Sequence, residues 1–371
     1  MSLESLLPDD SHPNVHDYTV ALGGRGRLLD RLTARGVDVH VVPVQGWRWF
    51  EKRRTAVKLL ASGPLQLLSV ARWAGFIRRQ RTDLVHLNSN RLIEPLVAAW
   101  CLRVPTIVHF RDMPSRMTTP FLLGCGAFYG LMNRATRWIA NSRATAEDIR
   151  PYARVPVVAI PNGLDLADFD RRAREAREAR QERPEARPSG VHVAMVALVN
   201  PWKRYECFID VAAAVVNRRP DVRFSIVGTG SDGYVRSLRA MCAARGLDRA
   251  VTFAGHVENV PAYLRSVDVL AHTADPEPFG RVFLEAMAGQ RPVVAFRSGG
   301  PAEIVVDGST GRLVEPGDVN AMADALLGLL ADASMRERFG AAGRLRVEEH
   351  YSAERCRASV AAQYEAILGP I

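Results

Sequence analysis

Cysteine is scarce and scattered. Cys101, Cys125, Cys207, Cys242 and Cys356 are the five in the chain, and no two share CxxC spacing. That pattern excludes a disulfide frame or a tetrahedral zinc site and reads as reduced thiols in a cytosolic protein. Long apolar runs are missing too. None approaches the roughly 18–20 residues that span a bilayer, and the opening residues lack a signal-peptide pattern. Fixed-spacing catalytic signatures are also absent: there is no GK pair of a P-loop, no GxSxG elbow and no HExxH. His12 and His16 have HxxxH spacing but sit in a Pro/Asp-rich stretch, where such a pair is solvated, so no metal site is expected.

Acidic charge is in deficit. Against 49 Lys and Arg stand 40 Asp and Glu, and the net charge of +9 favours an anionic partner. The basic residues concentrate in "WRWFEKRRTAVKLL" (47–60) and "ARWAGFIRRQR" (71–81), where they alternate with Trp and Phe. That mixture suits a helix at an anionic membrane surface, with aromatic rings at headgroup depth. Region 47–81 is therefore a candidate peripheral membrane contact on the cytoplasmic side. An ordinary surface helix is the other reading. Nucleic acid is not expected, because the basic residues have no aromatic strand platform or recognition-helix motif beside them.

What the sequence has in abundance is alternation. "DYTVAL", "VDVHVVPV", "DLVHLNS", "TIVHFRD", "RWIANS" and "VPVVAI" are short β-branched runs, each separated from the next by an amphipathic stretch. Strand and helix at this pitch predict a parallel sheet covered on both faces. The charged segment 171–188 interrupts the rhythm, and it reads as an exposed linker or a solvated helix. Alternation restarts with "VHVAMVAL", "VRFSIVGTG", "VTFAGH", "VDVLAHT", "PVVAF" and "TGRLVEP", and helices near 318–331, 335–349 and 352–368 close the chain. The expected fold class is α/β, with two doubly wound domains in tandem.

Several loops could bind an anion. "VGTGSDG" (227–233) is a formal GxGxxG between a strand and a helix. A dinucleotide site would also need an acid at the end of the next strand, which instead closes on Gly255-His256. An NAD(P)-dependent oxidoreductase is thus a remote alternative, while Gly228 and Gly230 still allow close approach of a ligand to the backbone. "NPWKR" puts Lys203 in the first strand-to-helix loop of the second domain, where a lysine can neutralise phosphate. In "PEPFGRVFLEAMAGQ", Phe279, Gly280 and Arg281 offer backbone N–H groups at a helix start. A second glycine-mouthed start, Gly299-Gly300, follows the next strand. Together with Lys203 these starts predict a metal-free diphosphate cradle. Glu277 is expected at its rim and Glu285 inside the helix, each an acceptor for sugar or ribose hydroxyls.

Glu277 and Glu285 within "EPFGRVFLEAMAGQRPVV", followed by "GGPAEIV" and "TGRLVEPGD" and preceded by "PWKR", resemble the second domain of retaining glycosyltransferases of the GT-B fold, family 4. The likeness covers about 190–350 and extends more loosely to the first domain. It implies two Rossmann-like domains facing a cleft: 1–170 on the acceptor side, a linker at 171–189, a nucleotide-sugar domain at 190–350, and a helix at 351–371 packing back toward the first domain. It implies a UDP-, GDP- or dTDP-sugar donor and no cofactor or metal. The acceptor would be a lipid-linked, polysaccharide or small molecule, as in cell-envelope or polysaccharide biosynthesis. By position, Lys203 contacts the diphosphate, Glu277 with Phe279 and Gly280 faces the donor sugar, Glu285 holds the ribose, and His256-Val257 borders the base. His109 matches a histidine facing the donor sugar; without the resemblance it reads as a core histidine.

Two departures stand out. Leu198 occupies the place of an arginine that usually accompanies the lysine, leaving Arg204 or Arg281 as substitutes. The first strand and glycine-rich loop of the first domain also have no counterpart, and "MSLESLLPDD" resembles the helix that follows them. The chain is then expected to begin inside the first βα unit. These departures keep a second expectation open, a non-catalytic nucleotide-sugar-binding partner subunit.

Overall fold

The computed structural model of the chain describes residues 7, 17–44, 56–114, 124–181 and 190–369. They divide into two compact units, Met1–Pro161 with Cys356–Ile371, and Asn162–Arg355.

In the first unit, β1 (Val20–Leu22), α1 (Arg27–Ala34) and β2 (Val39–Val41) form a βαβ unit with a two-stranded parallel ladder. After α2 (Ala56–Arg79) come β3 (Val85–Leu87), α3 (Ile93–Leu102), β4 (Thr106–Phe110), α4 (Gly124–Met132), β5 (Arg137–Ala140), α5 (Arg143–Ile149) and β6 (Val157–Ala159). These strands make a parallel sheet in the order β3-β4-β5-β6, with β4 buried along its whole length. Among the described residues no ladder joins this sheet to the β1–β2 pair. The doubly wound domain expected from the alternation is thus split in its hydrogen bonding. Residues 1–6 and 8–16, with His12, His16 and most of "MSLESLLPDD", lie outside the described set.

The second unit follows α6 (Leu166–Gln181). Its elements are β7 (His192–Val196), α7 (Tyr205–Val216), β8 (Arg223–Val227), α8 (Asp232–Ala244), β9 (Val251–Gly255), α9 (Val260–Arg265), β10 (Val269–His272), α10 (Arg281–Ala288), β11 (Val293–Phe296), α11 (Pro301–Ile304), β12 (Gly311–Val314), α12 (Val319–Ala331) and α13 (Ala333–His350). All six strands are parallel, in the order β12-β11-β10-β7-β8-β9. One face packs Phe208, Phe224, Leu238 and Leu326, and the other packs Phe283, Leu284, Met287 and Val347. Strand order reverses between β7 and β10, so the loops after these two strands flank the switch point where doubly wound sheets bind ligands. The final helix, α14 (Ala353–Leu368), counts with the first unit from Cys356 onward.

Three expectations change here. The boundary lies after Pro161, not near 170. Segment 171–188 is not simply a solvated linker: its described part continues α6, which buries Phe169 and Ala173 and ties Asp170 to Arg344 at 2.9 Å. A short apolar stripe at the helix start was hidden by the charges that follow it. The aromatic residues of 71–81 also face inward. Trp73 and Phe76 pack with Ile77, Ala98 and Ala99 in the core, so they cannot sit at headgroup depth. Trp47, Trp49 and Phe50 lie outside the described residues.

Candidate nucleotide-sugar site

Two loops at the switch point meet through a charge pair. The first leaves β7, passes a 3-10 turn at Pro201–Lys203 and enters α7 through Arg204, whose φ of 54° and ψ of 49° are left-handed. The second leaves β10 at His272 and runs to α10 through Gly280, also left-handed at φ 81°. A side chain at Gly280 would strike the Phe283 ring, which accounts for the glycine at the helix mouth. Thr273 joins the loops by donating from Oγ1 to the carbonyls of Lys203 (3.1 Å) and Arg204 (3.0 Å).

Between the loops the Nζ of Lys203 donates to Oε2 of Glu277, and both side chains are largely buried. Glu277 was expected at the rim but is inside, 4% exposed. His272 Nε2 lies 3.8 Å from the same carboxylate oxygen. Its Nδ1 accepts the N–H of Ala274 at 3.3 Å, so the ring carries its proton on Nε2, aimed toward Glu277. Burial, and then the Lys203 charge, hold the His272 pKa well below the ordinary range, and the ring is neutral. Neither His272 nor Thr273 stood out in the sequence. Their signal was faint: a polar pair closing the apolar strand "VDVLAHT".

The third loop, after β11, is locked to the second. Gly300 donates its N–H to the Glu277 carbonyl at 2.8 Å. A Cβ on Gly300 would stand 2.3 Å from the Phe279 backbone, so glycine permits two loops to touch. Asp275 bridges the remainder, 3.5 Å from Arg204 and accepting from Ser298 Oγ at 2.5 Å. Glu285 is partly buried on α10 and pairs with Arg281 one turn earlier at 3.3 Å. Lys203, Arg204, Glu277, Phe279, Gly280, Gly299 and Gly300 therefore belong to one constellation, with Arg281 and Glu285 on the adjoining helix.

The glycines of "VGTGSDG" have a different role from the one expected. A Cβ on Gly228 would lie 1.9 Å from the Ala197 carbonyl, and one on Gly230 would lie 2.0 Å from the Val199 carbonyl. The close approach they permit is that of the neighbouring loop. An open concavity of about 380 Å³ remains between Leu198–Pro201 and Thr229–Ser231. Leu198, in the place of the expected arginine, is 58% exposed there. His256 is exposed and Val257 half-buried after β9, where no acid closes the strand. A dinucleotide fingerprint is thus incomplete.

His109 lies on β4 of the first unit and is fully buried. Its Nδ1 is 3.3 Å from His86 Nε2 and 3.4 Å from Arg111 Nη2, and its Nε2 has no hydrogen-bond partner among the described residues. Burial first, then the Arg111 charge, lowers both histidines, His86 to about 3 and His109 well below 6.5.

His86, His109 and His272 share a consequence. Their folded pKa values lie below the unfolded value near 6.5, so acid protonates the unfolded chain first. Stability is unaffected above about pH 6.5 and falls below it, by about 1.4 kcal/mol per histidine per pH unit. Urea midpoints measured from pH 7.5 to 5 should drop steeply below 6.5. A flat profile would show these rings to be accessible.

The fold defines the class, two Rossmann-like α/β units with parallel sheets, of the GT-B type. Structural likeness agrees: the Anabaena protein Alr3699/HepE, crystallised with UDP-glucose, superposes with a TM-score of 0.76 at 24% identity over 94% of this chain and 91% of its own. Two family models match, "Glycosyl transferases group 1" over residues 190–332 and "Glycosyltransferase Family 4" over 26–168. The chain belongs to the group 1, family 4 glycosyltransferases. A D-inositol 3-phosphate glycosyltransferase of an Arthrobacter strain is 30% identical over 59% of this chain and 53% of its own length. A GDP-mannose-dependent alpha-(1-6)-phosphatidylinositol monomannoside mannosyltransferase of Mycolicibacterium smegmatis is 36% identical over half of each chain. The match thus spans about half the length of these two relatives.

Proposed function

We propose that this chain transfers a sugar, with retention and without a metal, from a nucleoside-diphosphate donor to a lipid-linked, polysaccharide or small-molecule acceptor. The observation that carries the reading is the buried Lys203–Glu277 pair at the switch point of the second sheet. A buried lysine and a buried carboxylate cost desolvation energy that a hydrophobic pair would not. Here the pair stands in the loops where a donor binds. A diphosphate competes for Lys203, and the helix starts at Gly280 and Gly300 add N–H dipoles for the same charge. Glu277, released from the lysine, accepts hydroxyls of the sugar. Glu285 does the same for the ribose once it leaves Arg281. The resemblance sets His256-Val257 beside the base and His109 against the donor sugar. Related proteins bind UDP-glucose or use GDP-mannose, and this chain's base and sugar are expected within that range.

A thermal-shift panel of UDP-, GDP- and dTDP-sugars tests the proposal. A donor at 100 times its Kd stabilises by about 2.7 kcal/mol, and Glu285→Ala should weaken the shift. A panel with no response, in a chain that transfers no sugar, would sink the reading. Binding without turnover would favour the partner-subunit reading, to which the exposed Leu198 lends some weight. An NAD(P) shift would favour an oxidoreductase.

The acceptor side of the proposal includes a cytoplasmic membrane face. Among the described residues no helix is long and apolar enough to cross a membrane. On α2, however, Leu65, Leu67 and Leu68 are 54%, 72% and 54% exposed, and Arg72, Arg78 and Arg79 are exposed further along. Leucines among arginines suit the boundary of an anionic bilayer. Sedimentation with phosphatidylglycerol vesicles should fall severalfold in Leu67→Asp/Leu68→Asp, with little change in melting temperature. Equal sedimentation would remove this surface from the proposal.

A further inference from the structure

In the first unit, a chain of ring contacts runs from the C-terminal helix to His109. Tyr364, on α14, has its hydroxyl 2.6 Å from His86 Nδ1, and His86 Nε2 is 3.3 Å from His109 Nδ1. The two imidazoles are 26° apart in plane with centroids 5.5 Å apart. With their facing nitrogens so much closer than their centroids, the rings meet edge to edge, the geometry of an in-plane hydrogen bond. Tyr364 and His86 are 278 residues apart in sequence.

The proton positions follow from one group that cannot accept. Arg111 Nη2 faces His109 Nδ1 at 3.4 Å, and a guanidinium only donates. His109 Nδ1 must therefore present its lone pair. His86 Nε2, facing the same nitrogen, must then carry the hydrogen. A neutral His86 with a proton on Nε2 has a lone pair on Nδ1, and Tyr364 must donate to it. Arg111 is itself oriented by Asn88, whose side-chain oxygen accepts from Nε at 3.0 Å. Burial raises the Tyr364 pKa, so its phenol keeps the proton it donates. The relay ends on His109 Nε2, which carries a hydrogen and has no partner among the described residues.

We infer that Tyr364 and His86, together with Arg111, are positioning residues that fix His109 in the Nε2–H tautomer, making it an obligate hydrogen-bond donor at that nitrogen. The functional consequence rests on the proposed role of His109 against the donor sugar; the tautomer itself does not. With the opposite tautomer the Nε2 lone pair would repel a ligand oxygen. The C-terminal helix thus acts on His109 through two rings.

Histidine carbon and nitrogen chemical shifts distinguish the tautomers directly. The full chain, labelled on histidine, should show both His86 and His109 as Nε2–H at pH 7.5. In Tyr364→Phe the ring remains but the donor is gone, and His86 should populate the Nδ1–H form; His109 should follow only in part, because Arg111 still donates to its Nδ1 at 3.4 Å. His86→Gln keeps one donor and one acceptor and should leave His109 as Nε2–H, whereas in His86→Leu the long contact with Arg111 alone holds the ring and an Nδ1–H fraction should appear. An Nδ1–H signal for His109 in the unsubstituted chain overturns the inference, whatever the variants do. An unchanged His86 in Tyr364→Phe also overturns it. If sugar transfer is observed, Tyr364→Phe should lower kcat about tenfold and shift the donor KM within about twofold. Tautomers as expected in a chain that transfers no sugar would uphold the relay and discard the proposed function instead.

Discussion

Replacing Glu277 by alanine should cost the second unit about 3–5 kcal/mol, because it strands the Lys203 ammonium in a buried loop. Glu277 is 4% exposed and Lys203 8%, so water cannot take the place of the missing carboxylate without opening the loop. The neighbouring His272 offers no remedy: its hydrogen is on Nε2, and two donors would then face each other across the vacated space. Lys203→Met/Glu277→Leu removes both charges and should recover most of the lost stability, since a buried pair can often be exchanged for apolar residues at little cost. Both variants should nevertheless lose sugar transfer by a factor of 100 or more (about 3 kcal/mol of transition-state stabilisation). UDP or GDP should raise the melting temperature of Glu277→Ala more than that of the unsubstituted chain, because the diphosphate meets an unpaired lysine. Urea unfolding and nucleotide thermal shifts on the three proteins decide the matter. A Glu277→Ala chain as stable as the parent would show the pair to be solvated. A double variant that still transfers sugar would remove the pair from the donor site.

Gly300→Ala should be the next most damaging change. The backbone at Gly300 is ordinary right-handed helical, φ −56° and ψ −41°, so alanine meets no torsional objection. What it meets is the Phe279 backbone, 2.3 Å from the new Cβ. Backbone cannot swing aside as a side-chain tip can, and overpacking of this kind costs about 1–3 kcal/mol or more. The loop after β11 must withdraw, and the 2.8 Å hydrogen bond from Gly300 N to the Glu277 carbonyl goes with it. Donor affinity should fall together with stability, each kcal/mol lowering the melting temperature by about 2–4 °C in a unit of this size. Gly328→Ala is the matching control. Gly328 lies within α12 with nothing near the new Cβ, and alanine there should stabilise by about 0.5–1 kcal/mol. Equal behaviour of the two variants in a melting experiment would discard the steric account.

Much of this architecture was legible in the residues. The β-branched runs fall on the observed strands, and glycine marks the mouth of α10 and the tight turn before α11. Lys203 and Glu277 were both selected as site residues, Lys203 from its place in a strand-to-helix loop and Glu277 from its place before the glycine-mouthed start of α10. Their pairing was not legible, because 74 residues separate them and nothing local to either names its partner. The same limit explains Trp73 and Phe76. A helix of basic and aromatic residues has the same composition whether its rings face lipid or core, and only the packing against Ala98 and Ala99 decides between them. Gly228 and Gly230 show the converse: their need for close approach was visible, but not that the approaching group is the chain's own loop.

By itself, the sequence determined the order of strands and helices, the polarity of each face and the residues that end each strand, because these follow from side-chain periodicity and turn chemistry along the chain. The tertiary structure alone decided which of those residues share a charge or a proton. It brought Lys203 to Glu277, set His272 behind them and carried Tyr364 back to His86. Periodicity states which way a side chain points, whereas a hydrogen bond requires two particular atoms within about 3 Å, and that coincidence exists only once the sheets have formed.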